Sequence, residues 1–379
     1  MPIVLNQTQE MLRDSALTFL RESAPISALR TLRDTRDETG FSRALWQQFA
    51  ELGFAGVLVP EQYGGSGLGV VEAGVIMEAI GRTLAPSPFL STAVLGAALL
   101  THYGSDAQRT AMLPAIAAGQ HLTALALEES ARHRPTRHAL RASADGDGFR
   151  LDGDKVFVVD GHVADTLIVA ARTAGAPDDR DGITLFLVPA GSAGLSIERT
   201  VMADATNAAR VNLREVRLPA AAVLGTPGNG AAMLERVLDV GRAVLASELL
   251  GIADETFERT LAYLKERRQF GRIIGEYQAL QHRAAHLFTE IEMTRAAVLQ
   301  CQQRLDAGTD DAAGLVCVAK ARAGTSATLA VQEGVQMHGG IGMTDALEIG
   351  FFMKRARTAQ ELFGDTNAQL QRWATLRGY

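Results

Sequence analysis

Cysteine is nearly absent: two in 379 residues, Cys301 and Cys317. Both lie in helical patterns, without C-x-x-C spacing and with no histidine cluster nearby, so no disulfide framework and no metal site is expected. They read as reduced core or interface residues of a cytoplasmic protein. Long apolar runs are missing too. None approaches the length that crosses a bilayer, and the opening M-P-I-V-L-N-Q-T-Q-E lacks a basic stretch followed by an apolar one, so neither a membrane span nor a leader is expected. There is no excess of positive charge, since Lys plus Arg number 37 against 43 for Asp plus Glu, a net charge of -6. That balance excludes a general nucleic-acid binder that works by neutralising phosphates. Internal repeats and low-complexity tails are absent, and the short basic run Lys354-Arg355-Ala356-Arg357 reads as a solvated or interface helix face.

What remains is an ordinary globular composition, 47% hydrophobic and 21% charged, on a chain long enough for two or three domains. Its hydrophobic period changes twice. The first third is helical: Asn6 and Gln9 form a capping-box pattern ahead of Leu12, Leu17 and Leu20, a second helix carries Trp46, Phe49 and Leu52, and Pro86 to Leu90 breaks a later one. The glycine cluster from Glu61 to Gly69 lacks a strand-to-helix G-x-G-x-x-G or G-K-[ST] frame, so it reads as a structural turn. After Gly119 the apolar residues alternate or run. Strands are expected at 123–127, 140–144, 149–151, 155–159, 166–171, 183–188, 195–200 and 211–216, with hairpin turns at Asp145-Gly146-Asp147-Gly148 and at Asp152-Gly153. The last third returns to helix through Leu234, Leu238, Leu245, Leu249 and Ile252, then Leu280, Ala284, Leu287, Ile291, Val298, Cys301 and Leu305. Asp310-Asp311 is placed to cap a third long helix. The predicted fold is α+β and multidomain: an N-terminal helical domain (1–122), a central β-barrel or sandwich domain (123–224) and a C-terminal four-helix bundle (225–379).

Between two long helical patterns lies Y-L-K-E-R-R-Q-F-G-R-I-I-G-E-Y-Q-A-L-Q-H-R-A-A-H-L, residues 263–287. Arg267, Arg268, Arg272 and Phe270 can meet an anionic, planar ligand. The same residues fit a helical hairpin whose turn needs Gly271 and Gly275 and whose arginines are solvated. The string as a whole resembles the R-x-x-F-G-x-x-I-x-x-x-Q segment of the acyl-CoA dehydrogenase superfamily, which binds FAD across a subunit interface. P-E-Q-Y-G-G-S-G-L-G (60–69), Met77 to Arg82 and the Gln336-Met337-His338-Gly339-Gly340-Ile341-Gly342 turn resemble further segments of that family, and the helix, strand, helix order extends the resemblance over essentially the whole chain.

The resemblance implies FAD as cofactor and an acyl-CoA as substrate. It implies cofactor contacts at Arg267, Phe270, Ile274, Tyr277 and Gln278, at Gln336, Gly339 and Gly340, at Leu127, Phe157 and Val159, and at Asn367 and Gln369. His338 is read as a helix-end residue only. The β domain departs from the pattern. Where the family has C-x-T-E-P-x-[AG]-G-S-D the chain reads Leu125 to His133, with Glu128 at the threonine, Glu129 at the acid and no G-S-D. Where it has K-x-[WFY]-I-[ST]-N-G the chain reads Lys155 to Gly161, with Val159 at the hydroxyl position. The family's usual α-proton base is the Glu of Y-E-G-T-x-x-I-Q-R. Set on Phe363 to Arg372, the pattern puts Asp365 on it, one methylene shorter. A second known base position, just before an arginine on the helix entering the bundle, holds Gly241 ahead of Arg242. Asp365 with Arg242 is therefore the implied catalytic set, although Asp365-Thr366-Asn367 is also good helix-cap chemistry. Glu248 and Glu361 fit helical faces.

By this resemblance the chain desaturates an acyl thioester and passes electrons to an electron-transfer flavoprotein. The resemblance also implies an oligomer, a homotetramer or a heteromer with a second acyl-CoA dehydrogenase subunit. The alternatives are a nitroalkane-oxidase-like flavoenzyme with an Asp base and a non-catalytic subunit that lends half a flavin site to a partner.

Overall fold

A computed structural model describes residues 3–379. Met1 and Pro2, which open the expected N-terminal domain, lie outside the described residues. In chain order come α1 (Gln7–Ser23), α2 (Ile26–Thr35), α3 (Arg43–Glu51) and α4 (Val70–Thr83), a π-helical segment (Phe89–Gly96), then α5 (Ala97–Tyr103) and α6 (Asp106–Ala117). The strands follow: β1 (Thr123–Ala126), β2 (Arg141–Asp145), β3 (Gly148–Val159), β4 (Thr166–Arg172), β5 (Ile183–Pro189), β6 (Leu195–Val201), β7 (Asn207–Pro219) and β8 (Val223–Leu224). The last third holds α7 (Gly230–Glu266), a small ladder of β9 (Arg268–Gln269) and β10 (Arg272–Ile273), α8 (Gln278–Asp306), α9 (Ala312–His338), α10 (Ile349–Glu361) and α11 (Thr366–Leu376). N-terminal helices, a central mixed sheet and C-terminal helices thus occur in the predicted order.

Two compact units emerge from this chain. The first joins the residues up to Asp34, Val70–Ala85 and Arg242–Tyr379. Apolar residues repeating at three and four place Leu250, Ala253, Leu287, Ile291 and Ala330 in one buried cluster of α7, α8 and α9. The Asn6 and Gln9 capping box forms as the sequence indicated, with each side chain accepting the other's backbone N–H at 2.9 and 3.0 Å. The N-terminus of α4 is capped from a distance: Asp306, the last residue of α8, accepts the N–H groups of Val70 and Val71 at 2.7 and 3.1 Å. Helices α4 and α7 meet backbone to backbone, because a Cβ on Gly81 would stand 2.2 Å from the Glu248 carbonyl oxygen and one on Gly251 2.1 Å from that of Glu78. Asp311 takes the N-cap position of α9, yet its side chain makes no cap bond. Its Oδ1 accepts the Thr309 hydroxyl at 2.6 Å instead, which corrects the expected cap.

The second unit, Thr35–Gly69 with Pro86–Gly241, holds the sheet. Its strands run β6-β7-β3-β2-β4-β5-β8, with β1 parallel beside β4. Strand β4 is buried along its whole length and β5 in all but its last residue, which accounts for their unbroken apolar runs. The hairpin at 145–148 forms, with Asp145 opposite Gly148. The expected turn at Asp152-Gly153 does not. Residues 148–159 are one strand, and Gly153 marks a register shift against β7 where its φ of 145° puts a missing Cβ against Leu140. The break at Pro86 to Leu90 leads into the π-helix, where the Thr92 hydroxyl bonds both the N–H and the carbonyl of Thr123 on β1. The glycine turn after Pro60 packs on itself: a Cβ on Gly65 would lie 2.1 Å from the Val59 carbonyl oxygen.

Candidate active site

In the bundle unit, the segment between α7 and α8 is a two-residue β-ladder in which Arg272 pairs with Gln269. At its tip Phe270 and Gly271 have φ of 52° and 83°. Two successive left-handed residues make the tight reverse turn that hairpins favour, with glycine where it costs least. The sequence pointed to a loop between helices and missed this hairpin; the signal available was Gln-Phe-Gly-Arg, an x-Gly pair between two extended dipeptides. The turn holds Phe270 out in solvent, 91% exposed, with Arg267 also exposed. The hairpin closes because Ile274 N–H donates to the Arg267 carbonyl at 2.8 Å, while the Arg272 guanidinium lies 4.0 Å over the Tyr277 ring. Ile274 and Tyr277 are half-buried, and Gln278 opens α8 from an exposed position.

The glycine turn after α9 stands at the same end of the bundle. The ring of Tyr263, just before the hairpin, lies 4.4 Å from that of His338, the last residue of α9. His338 donates through Nδ1 to the Gly334 carbonyl at 2.7 Å, and burial lowers its pKa, so it serves as the helix-end residue expected. Two residues before it Gln336 is exposed; beyond it Gly339 has a φ of 67°, and a Cβ on either Gly339 or Gly340 would meet nothing within 4 Å. No internal contact fills the space above these glycines, so a ligand can approach the backbone closely here, while the Gly339 N–H itself is bonded to the Gln336 carbonyl.

A third element of this unit is the turn from α10 to α11. Phe363 and Gly364 have φ of 57° and 95°. Their carbonyls are held from within: Arg242 Nε donates to Phe363 O at 3.0 Å, and Gln369 Nε2 donates to Phe363 O and Gly364 O at 2.9 and 3.2 Å. Arg242 and Gln369 are 3% and 1% exposed, and the Gln369 amide bonds the turn, whereas Asn367 is exposed. Asp365 is the N-cap of α11, and its Oδ1 accepts Ala368 N–H at 2.8 Å. The family's Y-E-G-T-x-x-I-Q-R pattern fits this turn in two registers. Set on Leu370-Gln371-Arg372 it puts Asp365 on the family's glutamate; set on Thr366 it puts Gly364 there.

In the sheet unit, Phe157 has a φ of 57° and is 43% exposed, turned outward by a bulge between Lys155 and Val158. Val159 is half-buried and Leu127 buried, its carbonyl accepting Lys155 Nζ at 3.1 Å. Lys155 is fully buried, and its other bonds go to Glu129 Oε1 at 2.8 Å and His138 Nδ1 at 2.9 Å. Burial pushes the Lys155 ammonium down to about 8 against the pull of Glu129. Burial would raise the Glu129 carboxyl, but its bonds to His138 and Lys155 and the Ala139 N–H outweigh that and leave it well below the usual range. Glu128 bonds His133 Nδ1 and the Arg134 N–H, so the loop that replaces G-S-D is tied to itself. Arg172, also fully buried, ties that loop to the one between β4 and β5 by donating to the carbonyl of Thr136 in the first and to those of Pro177, Asp179 and Asp181 in the second. Nothing in sequence spacing marked Arg172, because its partners are backbone oxygens.

These features have counterparts in known proteins. Residues 6–120, 126–216 and 228–375 match the N-terminal, middle and C-terminal domain families of acyl-CoA dehydrogenase. The probable acyl-CoA dehydrogenase YngJ of Bacillus subtilis is 30% identical, over 98% of both chains. The mitochondrial isovaleryl-CoA dehydrogenase of Pongo abelii is 31% identical over 93% of this chain and 84% of its own. Among solved structures, a variant of the Tcur3481-Tcur3483 steroid ACAD superposes with a TM-score of 0.87 at 33% identity, covering 98% of each chain. The chain belongs to the acyl-CoA dehydrogenase family of FAD-dependent oxidoreductases. FAD fits the residues present at the bundle end, where Arg267, Phe270, Gln336 and an open glycine backbone suit a pyrophosphate and a flat ring. On the sheet side the fit is thinner, since Val159 carries no hydroxyl and Glu128 is spent within its own loop.

Proposed function

We propose that this chain is an FAD-dependent acyl-CoA dehydrogenase that desaturates an acyl thioester between its α and β carbons and delivers electrons to an electron-transfer flavoprotein. The observation that carries the reading is the outward-facing end of the bundle. Arg267 and Phe270 stand in solvent on a two-residue hairpin at the same bundle end as the open Gly339-Gly340 backbone, which suits the cofactor of a neighbouring subunit. Arg267 would hold the pyrophosphate of that neighbouring cofactor, with Phe270, Ile274 and Tyr277 at its adenosine end; in the sheet unit, Phe157 is proposed to cover the ring of a flavin held there. The flavin, when bound, supplies the hydride acceptor. The chain's own part is to remove a proton: Asp365 Oδ2, the oxygen left over after Oδ1 caps α11, is the proposed acceptor of the α-proton. Arg242 fixes the carbonyl two residues before it. The working form is proposed to be an oligomer, a homotetramer in the cytoplasm.

One set of observations favours a second reading, a non-catalytic subunit that shares a flavin site with an unlike partner. Asp365 already serves as a cap, Gly364 occupies the alternative register, and Gly241 fills the other base position. Purification separates the two. The first predicts a yellow protein whose absorbance near 450 nm falls on anaerobic addition of an acyl-CoA from a panel that includes isovaleryl-CoA. A colourless protein that turns yellow only with a second polypeptide supports the other.

A further inference from the structure

Lys320 is a charged-type residue in the middle of α9 with no place in the reading so far. It is 2% exposed. Its Nζ donates to the carbonyls of Ala359 at 3.1 Å and Gln360 at 2.9 Å, in the last turn of α10, where carbonyls lack partners within their own helix. Those two bonds are the ones its ammonium or amine N–H groups make to this helix end. The next residues are the left-handed Phe363 and Gly364, held by Arg242 from α7 and Gln369 from α11. Three buried side chains from three helices therefore fix one short stretch of backbone, and that stretch ends at Asp365.

We infer that Lys320 is a positioning residue: it anchors the C-terminus of α10 from inside the bundle and so sets where the turn presents the Asp365 carboxylate. This deepens, and rests on, the proposed role of Asp365 as proton acceptor. Holding a group whose φ angles are unfavourable requires such over-determination, and a small misplacement of a reacting carboxylate is costly in rate. Burial pushes the Lys320 ammonium down to about 7. The charged groups facing it are Arg242 and Glu248 on α7, Glu361 on α10 and Asp365 ahead of α11, while α8 presents Glu290 to Arg322 on the same helix.

The test is Lys320→Met, which keeps length and loses both donors, with Lys320→Gln, whose shorter side chain withdraws the donors from these carbonyls, as a second variant should the first not fold. Two readings are taken on the full chain: amide hydrogen exchange over residues 359–369, and the rate of flavin bleaching by isovaleryl-CoA. The expected result is exchange at least tenfold faster in that segment alone, with a maximal bleaching rate at least tenfold lower and a KM changed less than threefold. Unchanged exchange in a folded variant overturns the inference. So does an unchanged bleaching rate when Asp365→Asn abolishes bleaching. If Asp365→Asn bleaches like wild type, or if isovaleryl-CoA leaves the wild-type flavin oxidised, it is the reading of Asp365 that fails, and exchange alone decides whether Lys320 holds the turn.

Discussion

Replacing Arg295 by methionine removes the cation that holds two carboxylates inside the bundle. Arg295 Nη2 donates to both oxygens of Asp254 at 2.7 Å and Nη1 to Glu78 Oε1 at 3.1 Å, joining α8 to α7 and α4. Burial raises the pKa of both acids even with the arginine in place. Breaking a buried pair by removing one partner costs about 3 to 5 kcal/mol, but the Arg295 side chain is 38% exposed, so the attraction is partly screened and the expected loss is about 2 to 4 kcal/mol at pH 7. Protonation limits the damage. Neutralising a carboxyl of ordinary pKa near 4 costs about 4 kcal/mol at pH 7 but only about 1.4 at pH 5, at about 1.36 kcal/mol per unit. In the variant both folded-state values stand above the unfolded ones. Its penalty is therefore small below the ordinary carboxylate range and grows as pH rises toward the folded values. Urea unfolding followed by circular dichroism should show a larger deficit against wild type at pH 7 than at pH 5, by at least about 1 kcal/mol. A deficit under about 1 kcal/mol at pH 7, or the same deficit at both, would refute the assignment.

Gly251→Ala should gain about 1 kcal/mol in helix propensity yet lose more by pushing α7 off the Glu78 carbonyl, since overpacking costs about 1 to 3 kcal/mol or more; a raised melting temperature would show that the two helices have room to part. Arg267→Ala should lower flavin occupancy and assembly size together, read by absorbance and size-exclusion chromatography, and normal values of both count against the cross-subunit role. Because the sheet side lacks the family's hydroxyl and G-S-D contacts, each worth about 1 to 3 kcal/mol, dialysis should strip FAD from the isolated protein; retention through exhaustive dialysis contradicts that.

The change of hydrophobic period showed where helix gives way to sheet and back, because burial on one face imposes it directly. Leu245, Leu249 and Ile252 recur at helical spacing and are all fully buried. Local rules that depend on partners far along the chain were less legible. Gly153 looked like a hairpin turn but lies inside β3, since β7 pairs across it on both sides. Asp306 gave no sign of capping α4, 236 residues away. The site divides the same way: the segment of Arg267 and Phe270 was visible as a motif, though not its β-hairpin, whereas Arg172 and Lys320 work through backbone carbonyls that no side-chain pattern records. Gln369, read as a cofactor contact, is drawn inward by two such carbonyls.

The most direct test of the account is single-turnover flavin reduction in the wild type and in Asp365→Asn. Asparagine keeps an oxygen to cap α11 through the Ala368 N–H, so folding and flavin content should survive while the proton acceptor is lost. Mixed anaerobically with an acyl-CoA that bleaches the wild type, the variant should reduce its flavin at least a hundredfold more slowly. Bleaching at the wild-type rate would make Asp365 a helix cap only and place the base on another residue or another chain.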